Sequence, residues 1–360
     1  MRIYNTLTRK LFIPTIDFVN KGSLTSQLNK LEKSQWLSTE EIADLQTKKL
    51  RKLVNHSYRT VPYYHKLFRD LNLYPDDIKH ISDLSKIPFL SKKVINDNYN
   101  SLCSRNKLQE RWSIGSTGGT TGNTLTFRRS QRCIDFDWAA AYRSWGWGGY
   151  RIGDKYADFW SNPVGINKSN KPYGKALDFF RRRNLINCHN MDRNFLSEKV
   201  IPSLKKSKPK FLRGYASVLY VLAKIADPNQ IRPDAVFTTA ENLTNPMRDT
   251  IEKKFNCKVF DGYSAEGGAH ANECDHHNGY HIHSEGVAME FLDSEGEHVN
   301  DNERGETYFP KLNISSPCKK GSILIFPPLW PWLHGGAKPI NKSKYIVGSY
   351  FFLLDKGFTH

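Results

Sequence analysis

Acidic residues are scarce in this chain: 36 Asp and Glu stand against 53 Lys and Arg in 360 residues, a formal net charge of +17. Such an excess fits a polyanionic partner (nucleic acid, a phosphorylated substrate or an anionic membrane face) or a lysine-rich solvated surface. The densest clusters, 48–52, 181–183 and 205–210, are not interleaved with aromatics, so nucleic acid is not expected as a partner. Long apolar runs are lacking too. The run Ile323–Leu333 is short and broken by prolines, which excludes it as a membrane span. Residues 1–21 lack the apolar block and small-residue cleavage site of a signal peptide, and a cytoplasmic protein is expected. Cysteine is limited to six scattered positions with no Cys-x-x-Cys pair. Reduced thiols are therefore expected rather than a disulfide frame.

The chain does carry clear punctuation. Residues 23–95 read as helical. Ser38-Thr-Glu-Glu41 has the form of a capping box, and Leu45, Leu50, Leu53 and Val54 follow near helical spacing. Val61-Pro-Tyr-Tyr64 interrupts the pattern, and Ile87-Pro-Phe-Leu90 breaks it again ahead of Ser91, a candidate N-cap. Further on the pattern alternates. Lys210–Arg213, Ala235–Thr239 and Lys258–Phe260 read as buried strands, separated by helical segments over Val218–Ala226 and Thr244–Phe255. This predicts an α/β fold with a parallel sheet and crossover helices. Ligands bind beyond the carboxyl ends of such strands, so the polar loops Thr239-Ala240-Glu241 and Asp261–Glu266 are candidate site loops by topology.

The strongest local signal is Gly115-Ser-Thr-Gly-Gly-Thr-Thr-Gly122. Four glycines free the backbone to turn its N–H groups onto an anion, and the hydroxyls add donors. The Gly-Lys-Ser/Thr of a Walker A loop is absent. Taken alone the segment reads either as a phosphate loop or as a flexible Gly/Thr turn.

Its order resembles the phosphate loop of the adenylate-forming superfamily, in the group of phenylacetate–CoA ligase, coenzyme F390 synthetase and CapK. Trp36-Leu-Ser, Leu50–Leu53 and Val61–Tyr64 resemble that family's N-terminal helical region, and Leu84–Lys92 its approach to the loop. Lys210–Tyr215 and Val236–Glu241 resemble its central strands. Val259–Glu266 with Gly267-Gly268 resembles its Tyr-Gly-x-x-Glu loop. The resemblance runs over about residues 30–313. It implies a helical region over 1–95, an adenylate-forming nucleotide-binding core over 96–313 and a divergent or truncated tail over 314–360.

The resemblance also implies chemistry. A small carboxylic acid would be joined to the α-phosphate of ATP with Mg²⁺ present, and CoA would be the acceptor. Ser116, Thr117, Gly118, Gly119, Thr120, Thr121 and Gly122 would hold the phosphates. Thr239, Ala240, Glu241, Tyr263 and Ser264 would border the nucleotide, and Glu266 would ligate Mg²⁺. Two positions depart from the pattern. Asn123 stands where relatives often have lysine, and Ser264 stands where the loop glycine would be. After Asn313 neither the ribose-binding aspartate element nor the lysine-bearing small domain is recognisable. The expectation therefore stays divided between an active ligase and a nucleotide-binding remnant, with a frameshift near 307–320 as one origin of the tail.

Two clusters remain. His270, His276, His277, His281, His283 and His298 surround Cys274. Cys274 and His281 could offer thiolate and imidazole to Zn²⁺ across a turn at Asn278-Gly279, or the segment is a polar hairpin with His281 and His283 on one strand face. Phe136, Trp138, Tyr142, Trp145 and Trp147, followed by Trp160, form an aromatic stripe that reads as core packing or as the wall of an acyl pocket.

Overall fold

A computed structural model describes residues 2–106, 111–116, 125–161, 172–189, 192–227, 229–265, 268–277 and 279–289, together with short strands within 292–352. Up to residue 97 the elements are helical. An N-terminal run combines α1 (Arg2–Leu7), a π-helical turn (Thr8–Phe12) and α2 (Ile13–Asn20). Then come α3 (Leu24–Ser34), α4 (Thr39–Thr60), α5 (Pro62–Asp70) and α6 (Lys92–Asp97). The expected punctuation holds. The Ser38 hydroxyl accepts from the Glu41 amide at 3.2 Å while the Glu41 carboxylate accepts from the Ser38 amide at 2.7 Å. Pro62 ends α4 and starts α5, where its missing N–H costs no helical bond. The Ser91 hydroxyl caps α6 by accepting from Val94 N–H.

The core of the molecule is a seven-stranded sheet. Its strands are β3 (Tyr156–Trp160), β4 (Arg183–Asn187), β5 (Phe211–Gly214), β6 (Ala235–Thr239), β7 (Lys258–Ala265), β8 (Gly268–Glu273) and β9 (Tyr280–Ile282), in the order 4-3-5-6-7-8-9. The pairs β4–β3–β5–β6–β7 are parallel, and β7–β8–β9 are antiparallel. A separate hairpin pairs β1 (Trp112–Ser116) with β2 (Thr126–Ser130) and leads into α7 (Gln131–Trp147). Crossovers include α8 (Pro172–Phe180), α9 (Ile201–Ser207), α10 (Ala216–Ile225) and α11 (Asn245–Phe255).

The strands alternate between two cores, as a pleat requires. On one face Tyr156, Phe211, Phe237 and Phe260 pack against Phe136, Tyr142 and Trp145 of α7 and against Leu28 and Leu31 of α3. On the other, Ala157, Phe159, Leu212, Val236 and Val259 pack under Leu204, Leu219, Leu222 and Ile251 from the crossovers. This settles the aromatic stripe: Tyr142 and Trp145 are each 4% exposed, and Trp145 stacks on Phe237 with ring centroids 5.5 Å apart. These two side chains are core, while Trp147 is half-buried and, with Tyr142, borders a cavity.

Candidate functional site

Parallel strands register their carboxyl ends along one edge, and that edge gathers the polar segments anticipated from sequence. β6 is buried throughout its length. It ends in Thr239, after which Ala240 takes a left-handed backbone with φ 66°. A residue with a Cβ rarely adopts this conformation, and such strained positions cluster at ligand loops. The turn sends Glu241 back over the neighbouring crossover. Its carboxylate accepts from the backbone N–H of Ser217 at 2.8 Å. That bond fills an orphan donor in the first turn of α10, whose N-cap Tyr215 offers no side-chain acceptor.

The second segment expected as a loop is strand instead: Asp261–Ala265 continue β7, because β8 pairs with 262–265, and Tyr263–Ala265 run past the end of β6. Thr239 and Ser264 hydroxyls hydrogen-bond at 3.0 Å, tying the end of β6 to β7. Tyr263 packs edge-on against His270, centroids 6.1 Å apart. The β7–β8 pairing shifts register between Tyr263 and Ser264, a bulge that re-aims side chains. Gly262 must lack a side chain here, because a Cβ would come within 2.4 Å of Asn272 Nδ2. Of the residues expected from sequence, the structure thus brings together Thr239, Ala240, Glu241, Tyr263 and Ser264. Ser116 closes β1, its backbone paired with Thr126. Thr117, Gly118, Gly119, Thr120, Thr121 and Gly122 fall between the strands of that hairpin, and Glu266 between β7 and β8; all of these lie outside the described residues.

Further along the edge, Trp160 stacks on Tyr215 with centroids 5.3 Å apart and planes 12° from parallel. The Ser161 hydroxyl donates to the Tyr215 oxygen at 2.9 Å. The Arg213 guanidinium lies 4.9 Å from the Trp160 ring. Cys188, just past β4, is pushed up to about 12 by burial, with the negative charges of Asp158 and Glu241 adding to the shift. A thiolate nucleophile at neutral pH is thereby excluded at this position.

Three buried polar networks were not anticipated from sequence. On the α7 face Asp158 is fully buried between Arg183 and Arg213, at 2.6 Å and 2.9 Å. Burial alone would raise its carboxyl, but the two guanidiniums outweigh that and hold it low. On the other face Asp261 accepts from the hydroxyls of Thr238 and Tyr280. Burial raises its carboxyl, assisted by neighbouring Glu273, which Arg248 clamps with both oxygens at 2.7 and 2.8 Å. At the third, Arg143 pairs with Glu285 at 2.5 Å, and Ser34 donates to the same carboxylate. His283 is held well below its usual range by burial, then by Arg143. Its Nδ1 accepts from Arg143 and its Nε2 donates to Asn272, a tautomer assigned from this network. The warning signal for each is a lone charged residue inside an apolar strand or helix run, as in Tyr156-Ala-Asp-Phe-Trp160.

Among the described residues the zinc pair is not completed. Cys274 is buried, while exposed His281 leans on the Trp147 ring at 5.2 Å. Burial lowers His281, and the Arg143 charge adds to this. Among the described residues no group of three or more His, Cys, Asp or Glu is placed to hold a metal, and a structural zinc site wants four ligands. Only His281 belongs to β9; His283 follows its end and is buried, and both lie within ring contact of Trp147.

Comparison with known proteins agrees with this architecture. No family model matches the chain. Protein CapK of Staphylococcus aureus is 27% identical over 249 residues, covering 64% of this chain and 51% of CapK. A phenylacetate-coenzyme A ligase of Aromatoleum evansii is 28% identical over 294 residues, covering 78% of this chain and 65% of the ligase. The chain therefore spans between half and two thirds of these relatives' lengths. A solved 2-hydroxyisobutyryl-CoA ligase in complex with 2-HIB-AMP and CoA superposes with a TM-score of 0.61 at 16% identity, over 79% of this chain and 62% of that one. At that identity the superposition speaks for the fold.

Proposed function

We propose that this chain, similar to CapK and to phenylacetate–coenzyme A ligase, is an adenylate-forming protein that binds ATP at the carboxyl edge of its parallel sheet and adenylates a small carboxylic acid. The observation that carries this reading is the meeting of Thr239-Ala240-Glu241 with Tyr263-Ser264 through the 3.0 Å hydroxyl contact. It puts a left-handed turn and the polar end of β7 where α/β sheets bind ligands.

In the reaction, a carboxylate oxygen attacks the α-phosphorus and the bond to the bridging oxygen breaks. Pyrophosphate leaves with that electron pair, and no proton is transferred. Charge builds on phosphate oxygens, so amide and hydroxyl donors fixed in advance lower the barrier. The amides and hydroxyls of Ser116–Gly122 would be such donors by their sequence. Thr239 and Ser264 offer hydroxyls, and Tyr263 would border the nucleotide. Mg²⁺, held through the hard oxygen of Glu266, would neutralise phosphate charge. Glu241 acts on position: its bond to Ser217 N–H fixes the loop against α10. CoA is the proposed acceptor, its sulfur displacing AMP from the acyl carbon. The similarity to CapK supports a place in capsule or O-antigen polysaccharide biosynthesis.

Acid-dependent exchange of labelled pyrophosphate into ATP tests the reading. Exchange with a panel of small acids, reduced in Glu266→Gln, is the expected result. A folded chain that binds ATP yet gives no exchange with any acid would leave a nucleotide-binding module and remove the ligase.

A further inference from the structure

The N-terminal run takes no part in the proposed site, yet it is built in a specific way. Its inner face is docked. Thr8 and Ile13 are 1% and 3% exposed, the Tyr4 hydroxyl donates to the Phe180 carbonyl at 3.0 Å, and Phe12 lies 5.0 Å from the Phe180 ring. The opposite face exposes Ile3, Leu7, Leu11, Phe18 and Val19 at 78%, 43%, 53%, 86% and 66%. The first four are spaced four, four and seven apart, so they form one stripe along the helix. Phe179, 74% exposed, extends the patch beside Phe180, at 5.7 Å between centroids. Single exposed apolar residues are ordinary on a protein surface; a continuous stripe of large ones is not.

The charges around the stripe have one sign. Lys10, Lys21 and Lys175 are exposed, and Arg182 lies over the Tyr4 ring at 4.7 Å. The nearby acids are turned inward. Asp17 accepts from the Leu24 and Thr25 amides, Asp154 from Asn5 and the Arg151 amide, and Asp178 from Arg183. Glu32 is cancelled by Arg9. An apolar stripe with a cationic rim complements an interface of acyl chains below and anionic headgroups above. No helix among the described residues is long and apolar enough to cross a membrane, so the fit is to lying in the interface.

We propose that the outer face of residues 3–19 docks the protein on the surface of an anionic lipid bilayer. Co-sedimentation of the full chain with phosphatidylcholine vesicles, with and without phosphatidylglycerol, tests this. Binding is expected only with phosphatidylglycerol and should weaken as salt is raised. Leu11→Glu with Phe18→Glu should weaken it by at least about tenfold, the scale of losing one buried large side chain, with the thermal unfolding midpoint unchanged. Should that pair fail to fold, Lys10→Glu with Lys21→Glu reads the electrostatic half, with a loss largest at low salt. Three results would overturn the proposal: a folded chain that ignores anionic vesicles, binding indifferent to both pairs of substitutions, or self-association abolished by the pair with no vesicle binding, which would make the stripe a contact between copies.

Discussion

Asp158 and Asp261 are both buried carboxylates in the central sheet, and they are held in opposite ways. Asp158 lies on the α7 face between two guanidiniums, which keep it ionised against the cost of burial. Asp261 lies on the α11 face and receives two hydroxyl hydrogen bonds, with a second carboxylate nearby, and its carboxyl is raised. Burial favours the neutral form of both; what differs is that two guanidiniums bond Asp158 directly, whereas hydroxyls bond Asp261 and the nearby Arg248 is bonded to Glu273. One face of the sheet is locked by an ion triad and the other by a hydroxyl–carboxyl network.

The largest effect expected from this contrast is on stability. Asp158→Asn leaves Arg183 and Arg213 facing each other without the shared anion. It should cost about 3 kcal/mol in denaturant unfolding, the low end for a broken buried pair because both guanidiniums keep some solvent. Asp261→Asn should stay within about 1 kcal/mol, since its hydroxyl neighbours can bond a neutral amide as well as a carboxyl. Equal costs would break the comparison.

The pH dependence sharpens it. For Asp158 the folded value is below the unfolded one, so its contribution is full above the ordinary carboxylate range and is lost as pH falls through the folded value. For Asp261 the folded value is above, so its contribution is present below the ordinary range and is lost as pH rises through the folded value. Stability–pH curves of the two Asn variants, each subtracted from that of the parent, should therefore slope in opposite directions: the Asp158 difference fades toward acid and the Asp261 difference toward neutral pH. Parallel differences would show that the two carboxylates share one environment.

A smaller effect is expected at the carboxyl edge. Glu241→Ala should cost about 1 kcal/mol, the scale of a lost helix cap, while Glu241→Gln keeps an oxygen for Ser217 N–H and should cost less. Equal losses in the two variants would remove the capping role.

Much of the framework was legible in the sequence because local chemistry decided it. Ser38 and Glu41 close their capping box, Ser91 caps α6, and β6 spans Ala235–Thr239 as the β-rich run indicated. Thr244 does precede α11, but its hydroxyl makes no cap bond; Pro246 at the helix start removes one of the donors it would serve. The aromatic stripe of α7 was ambiguous because helical spacing marks a buried face without saying what buries it. Asp158, Asp261 and Glu285 were not found because their partners lie at least 12 residues away along the chain, from Asp261 and Glu273 up to 251 for Ser34 and Glu285, and no local pattern reports such pairs. The outward stripe of the N-terminal run is not distinct in the sequence, because only the docking of Thr8 and Ile13 separates an inner face from an outer one. The polar edge at Thr239 was legible from topology; that β7 continues through Tyr263 and Ser264 was not, because its pairing with β8 is set by a partner strand rather than by local pattern.

The central claim is that this edge is a nucleotide site, and calorimetry of the purified chain with ATP and Mg²⁺ tests it most directly. A saturable heat is expected, weakened about tenfold or more in Thr239→Val and in Glu266→Gln, the scale of one lost hydrogen bond to a charged group. No heat and no thermal shift at millimolar ATP, from a sample shown to be folded, would contradict it.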